Sequence, residues 1–295
     1  MAFNHRHLID ITEYSADDIM LVLETAVKFR EVNERKIKKV PTLKGFTVVN
    51  MFNEPSTRTR SSFEIAEKRL SCDSLNFGGS STSAVKGESL VDTVETLCSY
   101  KIDMVIVRDK HAGVPRLIAD VSGAHVIDAG DGKHQHPTQA LLDLYSIWEK
   151  KGDLAGLKVG VVGDIGHSRV CGSLIPALKI MGCEVTVIAP PTLMPARPDV
   201  LGADHVTSNF DEALPELDVV YMLRIQRERL EGAPYPSLRE YNQLFGLTKE
   251  REPLMKPDAI ICHPGPINRG VELDSYMADH PNRSVILDQV YAGIL

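Results

Sequence analysis

Seven short apolar runs alternate with helix-spaced segments along the whole chain, and that alternation leaves few folds open. The runs at 46–52, 102–107, 124–127, 157–162, 184–189, 218–222 and 258–262 read as buried strands. Between them, segments near 15–32, 60–70, 87–99, 113–121, 137–150, 169–181 and 237–244 have the apolar spacing of helices. Ser15, followed by Asp18, is the expected start of the first long helix. Alternation of this kind builds mostly parallel sheets with ligands at the carboxyl ends of the strands. At 295 residues the chain is long for one core and suits two domains of about 150 residues each. A charged, glycine-bearing stretch from Lys150 to Gly156 interrupts the pattern. The expected architecture is therefore α/β, with two doubly wound domains, 1–150 and 151–284, facing a shared cleft.

Charge and composition exclude several functions. A net charge of −7 and a pI near 5.8 argue against a nucleic-acid groove. The basic stretch Arg35 to Lys39 reads as a solvated helix end. No apolar run approaches the ~20 residues of a membrane span, and the first residues lack the apolar segment of a signal peptide. A cytoplasmic protein is expected. Five scattered cysteines (Cys72, Cys98, Cys171, Cys183, Cys262) contain no C-x-x-C pair, so they read as buried thiols, not as a disulfide framework or zinc site.

The first cluster that carries chemistry is Asn53-Glu54-Pro55-Ser56-Thr57-Arg58-Thr59-Arg60, between a strand and a helix. Backbone N–H groups at such a turn favour anions, hydroxyls add donors, and arginine adds a planar cationic fork. A plain helix cap needs one hydroxyl. Three hydroxyls and two arginines within five residues read as a phosphate pocket without a Walker lysine.

Three further clusters follow. In Gly130-Asp131-Gly132-Lys133-His134-Gln135-His136-Pro137-Thr138-Gln139, Pro137 suits a first helical position. His136 and Gln139 would then project from a helix start, where a histidine can polarise a carbonyl. A structural role stays open there. Metal ligation by His134 and His136 finds no carboxylate or cysteine at a supporting spacing. In Tyr221-Met222-Leu223-Arg224-Ile225-Gln226, Arg224 and Gln226 would share a side if the strand continues, and an arginine at a strand end clamps a carboxylate. Arg227 and Arg229 read as a solvated charge run. His263-Pro264-Gly265-Pro266 fixes a rigid turn, with a cis X-Pro bond open to it, whose carbonyls suit a substrate NH2. The stretch Val159 to Gly166 runs G-x-x-G-x-x-G, not the dinucleotide G-x-G-x-x-G, and brings Arg169 towards the cleft instead.

In this order, Ser-Thr-Arg-Thr-Arg, His-Pro-Thr-Gln, Arg-x-Gln and His-Pro-x-Pro closely resemble the aspartate carbamoyltransferase family, its catalytic chain, over nearly the whole sequence. That family joins carbamoyl phosphate to L-aspartate in pyrimidine synthesis. The resemblance implies two α/β domains, a homotrimer with sites shared between neighbours, and no cofactor or metal. It implies that Ser56, Thr57, Arg58 and Thr59 hold the phosphate, and that Arg108 and His136 polarise the carbamoyl carbonyl with Gln139 nearby. Arg169, Arg224 and Gln226 would bind the carboxylates of aspartate, and Gly265 and Pro266 would orient the carbamoyl NH2. Lys86 matches a loop lysine that enters a neighbour's site. Counting back four residues selects Thr82 as the matching hydroxyl, with Ser81 and Ser83 flanking it in a stretch that reads as a mobile surface loop. Catalysis is expected from Arg58, Lys86, Arg108 and His136. A regulatory chain or a dihydroorotase as further partner is left open.

Two departures stand out. Glycine at 265 replaces the leucine of some relatives, which implies a looser turn. A last helix begins near Val285 and is expected to pack back on the first domain (285–295), while family members usually run beyond the Leu295 position. The nearest rival, ornithine carbamoyltransferase, would carry His-Cys-x-Pro, whereas Cys262 here precedes His263. A non-catalytic scaffold is disfavoured by retention of Arg58, Lys86, Arg108 and His136, and a nicotinamide oxidoreductase by the glycine spacing.

Overall fold

The computed structural model describes residues 3–78, 88–226 and 237–295. Its chain divides into two compact units, one of Met1–Leu141 with Tyr291–Leu295 and one of Leu142–Val290. Each carries one parallel sheet.

The first unit holds strands β1 (Thr47–Phe52), β2 (Asp73–Phe77), β3 (Met104–Asp109) and β4 (His125–Asp131), in the order β2-β1-β3-β4. Helices α1 (Ala16–Glu34), α2 (Thr57–Leu70), α3 (Leu90–Ser99) and α4 (Val114–Ser122) connect or cover them. β1 is apolar but for Thr47 and Asn50 because both of its faces are covered. Val49 and Met51 pack with Val94, Leu97, Val105 and Ile118, whereas Val48 and Phe52 pack with Ile106 and Phe63 on the other side. Ser15 caps α1 in a reciprocal box with Asp18, as the sequence predicts. Ahead of that helix, the Leu8 N–H donates to the Val126 carbonyl and the Asp128 N–H donates to the Leu8 carbonyl, both at 2.8 Å. The amino-terminal segment thereby closes the free edge of β4.

The second unit holds β5 (Lys158–Val162), β6 (Glu184–Ile188), β7 (His205–Thr207), β8 (Val219–Met222) and β9 (Ile260–Cys262), in the order β7-β6-β5-β8-β9. Helix α5 (Pro137–Lys151) crosses the division between units. It is followed by α6 (Arg169–Ile180), α7 (Phe210–Ala213), α8 (Leu238–Phe245), α9 (Ser275–Ala278) and α10 (Ile286–Ala292). Two strands, β2 and β7, are not among those read from the sequence. Cys171, Cys183 and Cys262 are buried as expected, and burial pushes the Cys171 and Cys183 thiols up to about 12. Cys72 and Cys98 are only half-buried, a correction to the uniform burial expected. Among the described residues no helix is long and apolar enough to cross a membrane.

One buried acid ties α2 to β1. Glu67 is 4% exposed and receives the Asn50 amide at 3.0 Å. Burial lifts its carboxyl above the usual range, outweighing the Asn50 hydrogen bond that pulls it down. A raised carboxyl favours folding fully below its unfolded value, and that contribution is lost as pH rises through its folded value. Glu67→Gln removes this titration, so its Tm relative to the parent should climb from about pH 4 to pH 8. Thermal melts across that range check it; a constant difference would refute the assignment.

Candidate active site

In an all-parallel sheet every strand delivers its carboxyl end to the same edge, and a crevice opens where the strand order reverses. The first sheet reverses between β1 and β3, the second between β5 and β8. Most of the predicted site residues that the structure describes lie at the carboxyl ends of these four strands or after them, and the rest after the neighbouring β4 and β9.

In the first unit, Ser56 stands at the N-cap of α2 but makes no side-chain cap bond, and no acid occupies the first turn. Arg58 and Arg60 stand there instead, which is the reverse of what the helix dipole favours. By contrast, α1, α3 and α8 each have a serine cap and an acid in the first turn. The reading of Ser56 as a plain cap is thus not met, and the N–H groups at the start of α2 lack that partner. Thr57 and Arg58 are exposed, and Ser56 and Thr59 half-buried.

Arg108, near the end of β3, is the centre of this half. It pairs in register with Phe52, and its carbonyl accepts the Asn53 N–H at 2.9 Å. Its Nη1 donates to Thr59 Oγ1 at 3.5 Å and to the Ala129 carbonyl at 3.2 Å, while Nε meets Glu54 Oε2 at 3.3 Å. The loop after β1, the first turn of α2 and strand β4 therefore all meet on the one guanidinium that β3 carries. Glu54 was not singled out in the sequence, although it is the one acid in a cationic loop; any anion brought to Arg108 would have to compete with it.

After β4, Gly132 takes φ +52°, and a Cβ there would come within 2.7 Å of the Ala112 nitrogen. Pro137 opens α5 as predicted. His136 precedes it, 6% exposed, with its Nδ1 at 3.3 Å from Thr138 Oγ1 and its carbonyl accepting the Gln139 N–H at 3.0 Å. Gln139 is half-buried. The other polar groups of the motif are structural. His134 pairs with Asp131 at 3.0 Å, and Gln135 bonds the Ile11 N–H and Asp10. No group of three or more potential metal ligands occurs among the described residues. A cavity of about 360 Å³ at the ends of β1 and β3 is lined by Met51, Asn53, Phe77, Glu88 and Asp109, among others, and by none of the predicted site residues.

In the second unit, Arg169 is the first residue of α6, 5% exposed, again with no side-chain cap and no acid in the first turn. Asp164, wholly buried, lies in the loop after β5 and accepts from His167 Nδ1 at 2.6 Å and from the Gln226 N–H at 3.4 Å. The condition on which Arg224 and Gln226 would share a side, a continuing strand, is not met: β8 ends at Met222 and the chain turns towards Asp164. Both side chains are half-buried. Beside them, the turn after β9 carries Gly265, at φ +62°, joined to Pro266 by a cis peptide bond. Lys86, Thr82, Ser81 and Ser83 lie outside the described residues, as do Gly87, Arg227 and Arg229.

With both halves in view, comparison with known proteins becomes informative. The family model for the aspartate/ornithine carbamoyltransferase carbamoyl-P binding domain matches residues 6–149, and that for the Asp/Orn binding domain matches 155–294. The chain belongs to the aspartate/ornithine carbamoyltransferase family. It is 52% identical to the aspartate carbamoyltransferase catalytic subunit of Syntrophotalea carbinolica, over 100% of this chain and 93% of that one. Identity to the same subunit of Desulforapulum autotrophicum is 49%, over 100% and 94%. Among solved structures, aspartate transcarbamoylase from Trypanosoma cruzi in complex with carbamoyl phosphate superposes with a TM-score of 0.89 at 28% identity, covering 98% of this chain and 92% of that one. The catalytic subunit of the M. jannaschii enzyme gives 0.84 at 33%, covering 98% and 94%.

The loop at the start of α2 is entered past a close backbone approach. Gly78, after β2, has φ +135°, and a Cβ there would run into the Phe52 carbonyl at the entry to that loop. Gly78→Ala should lower the unfolding free energy by about 1–3 kcal/mol. Urea unfolding measures this, and an unmoved midpoint would show the contact to be unimportant.

Proposed function

We propose that this chain transfers the carbamoyl group of carbamoyl phosphate to the amino group of L-aspartate, giving N-carbamoyl-L-aspartate and phosphate. The observation that carries the reading is the pair of helices at the strand-order reversals. Both α2 and α6 carry arginine in the first turn, Arg58 and Arg169, without a side-chain cap or first-turn acid, an arrangement that disfavours an isolated helix and favours a bound anion. The reaction needs such sites twice, once for a phosphate and once for a dicarboxylate. A T. cruzi homologue has been solved in complex with both carbamoyl phosphate and aspartate.

In this proposal residues 1–150 hold carbamoyl phosphate and residues 151–284 hold aspartate. Ser56, Thr57, Arg58 and Thr59 bind the phosphate. Arg108 and His136 stabilise the oxyanion that forms as the aspartate amine attacks the carbamoyl carbon, with Gln139 beside them. The C–N bond forms, the C–O bond to phosphate breaks, and the leaving phosphate takes the amine proton. No enzyme nucleophile is needed, because a mixed anhydride is already activated. Arg169, Arg224 and Gln226 hold the two carboxylates, and Gly265 and Pro266 accept from the carbamoyl NH2. An assay with aspartate and ornithine in parallel should give product with aspartate alone; turnover of ornithine instead would overturn the reading. In the same assay Arg58→Ala should lose about 10²-fold in turnover, the scale of one oxyanion donor.

The finer proposals are a cytoplasmic homotrimer, with Lys86 and a loop hydroxyl, Thr82 or a flanking serine, entering a neighbour's site; they rest on the resemblance. Lys86→Ala and His136→Ala should each be nearly inactive alone. Unfolded and reassembled in equal amounts, they should recover about a quarter of parental activity, because one interface in a cyclic trimer in four pairs an intact Lys86 with an intact His136. If Lys86 serves its own chain, the mixture stays as inactive as its components.

A further inference from the structure

The residue that follows β9, His263, is 2% exposed and sits at the head of the turn bearing Gly265 and Pro266. Its Nδ1 accepts the Gly265 N–H at 2.8 Å. A backbone N–H can only donate, so Nδ1 is the unprotonated nitrogen and the ring proton lies on Nε2. Nε2 faces Oε1 of the wholly buried Glu272 at 3.3 Å. The same oxygen accepts the Asn268 N–H at 2.5 Å, and Asn268 Nδ2 donates to the Ile225 carbonyl at 3.4 Å. From behind, the His263 N–H is held by Gln289 Oε1 at 2.9 Å, and Gln289 is in turn held by Asp143 at 2.7 Å.

This arrangement is a poor way to gain stability. The other carboxylate oxygen, Glu272 Oε2, is buried without a hydrogen-bond partner among the described residues. Burying a carboxylate with half of its acceptors unused opposes folding, and a well-packed apolar residue would serve the core better. What the carboxylate does supply is geometry. Through His263 it fixes one ring tautomer and with it the Gly265 N–H; through Asn268 it reaches the peptide between Arg224 and Gln226. We infer that the His263–Glu272 pair is a positioning device that sets the 263–266 turn and the 224–226 segment together. The inference rests on the proposed function in taking Gly265 and Pro266 as carbamoyl ligands and Arg224 and Gln226 as aspartate ligands. His263, Glu272 and Asn268 are positioning residues; the groups they orient do the binding.

The test uses the two amides that each mimic one ring nitrogen. In His263→Asn the side-chain oxygen can stand where Nδ1 stood and keep the Gly265 bond. In His263→Gln the amide reaches the Nε2 position and the Gly265 bond is lost. Steady-state kinetics on the full chain should show kcat of His263→Gln about tenfold below that of His263→Asn, since small misplacements of a binding group carry penalties of that order or more. Asn268→Ala should raise the aspartate KM about fivefold with kcat within about twofold of the parent, as for lost uniform binding. Equal loss of kcat in both histidine variants, following their Tm, would mean a packing role only and would overturn the inference. If neither histidine variant folds, Asn268 decides, being half-buried and uncharged: an unchanged aspartate KM overturns the inference. A parent chain inactive with aspartate would instead overturn the proposed function, so the two failures are told apart.

Discussion

The structure depends on the rule that parallel strands all end on one edge. Helical crossovers return the chain to the opposite edge each time, so every loop that follows a strand gathers with the others. Where the order reverses, two crossovers leave on opposite faces and the loops part. The first unit places the start of α2 and Arg108 on the two sides of that parting, and the second places Arg169 and Arg224 there. Residues more than fifty positions apart in sequence become neighbours without any long-range pairing rule beyond strand register.

The electrostatic cost of collecting arginines in a chain of net charge −7 is met locally. Arg108 carries Glu54 beside it, and the loop after β5 is held by the buried Asp164. These acids hold cationic or donor groups in place. Elsewhere the histidines are paired off: His111 with Asp109, His134 with Asp131, His280 with Glu252. His136 lies against a threonine hydroxyl at a helix start.

Much of this was legible in the sequence, and the exceptions share one cause. Every strand that is covered on both sides shows as an apolar run, β1 and β5 most plainly. The two unread strands, β2 and β7, both lie at sheet edges, where Asp73, Asn76 and His205 face solvent and no apolar pattern is needed. Helix starts were legible where caps obey local chemistry, as at Ser15 and Pro137. The residues proposed for the two half-sites were picked out by residue types that break those local rules, such as arginines in a first turn. Glu54, Asn268 and Glu272 were not, because their importance lies in partners brought together by the fold, and a lone acid or amide in a loop carries no such mark. The 224–226 segment failed for a related reason: apolar residues continue past Met222, but the pairing partner β5 ends at Val162.

The pairing of Leu8 with the β4 edge has a consequence for how the chain is made. The residues around Leu8 have no partner on the sheet until Val126 and Asp128 have been synthesised. The segment must remain unattached while three strands assemble, and closing so long a loop adds only slowly to its entropic cost. Docking of the amino terminus therefore belongs to the end of this unit's assembly, and a fusion placed before Leu8 would burden that last event more than the earlier ones.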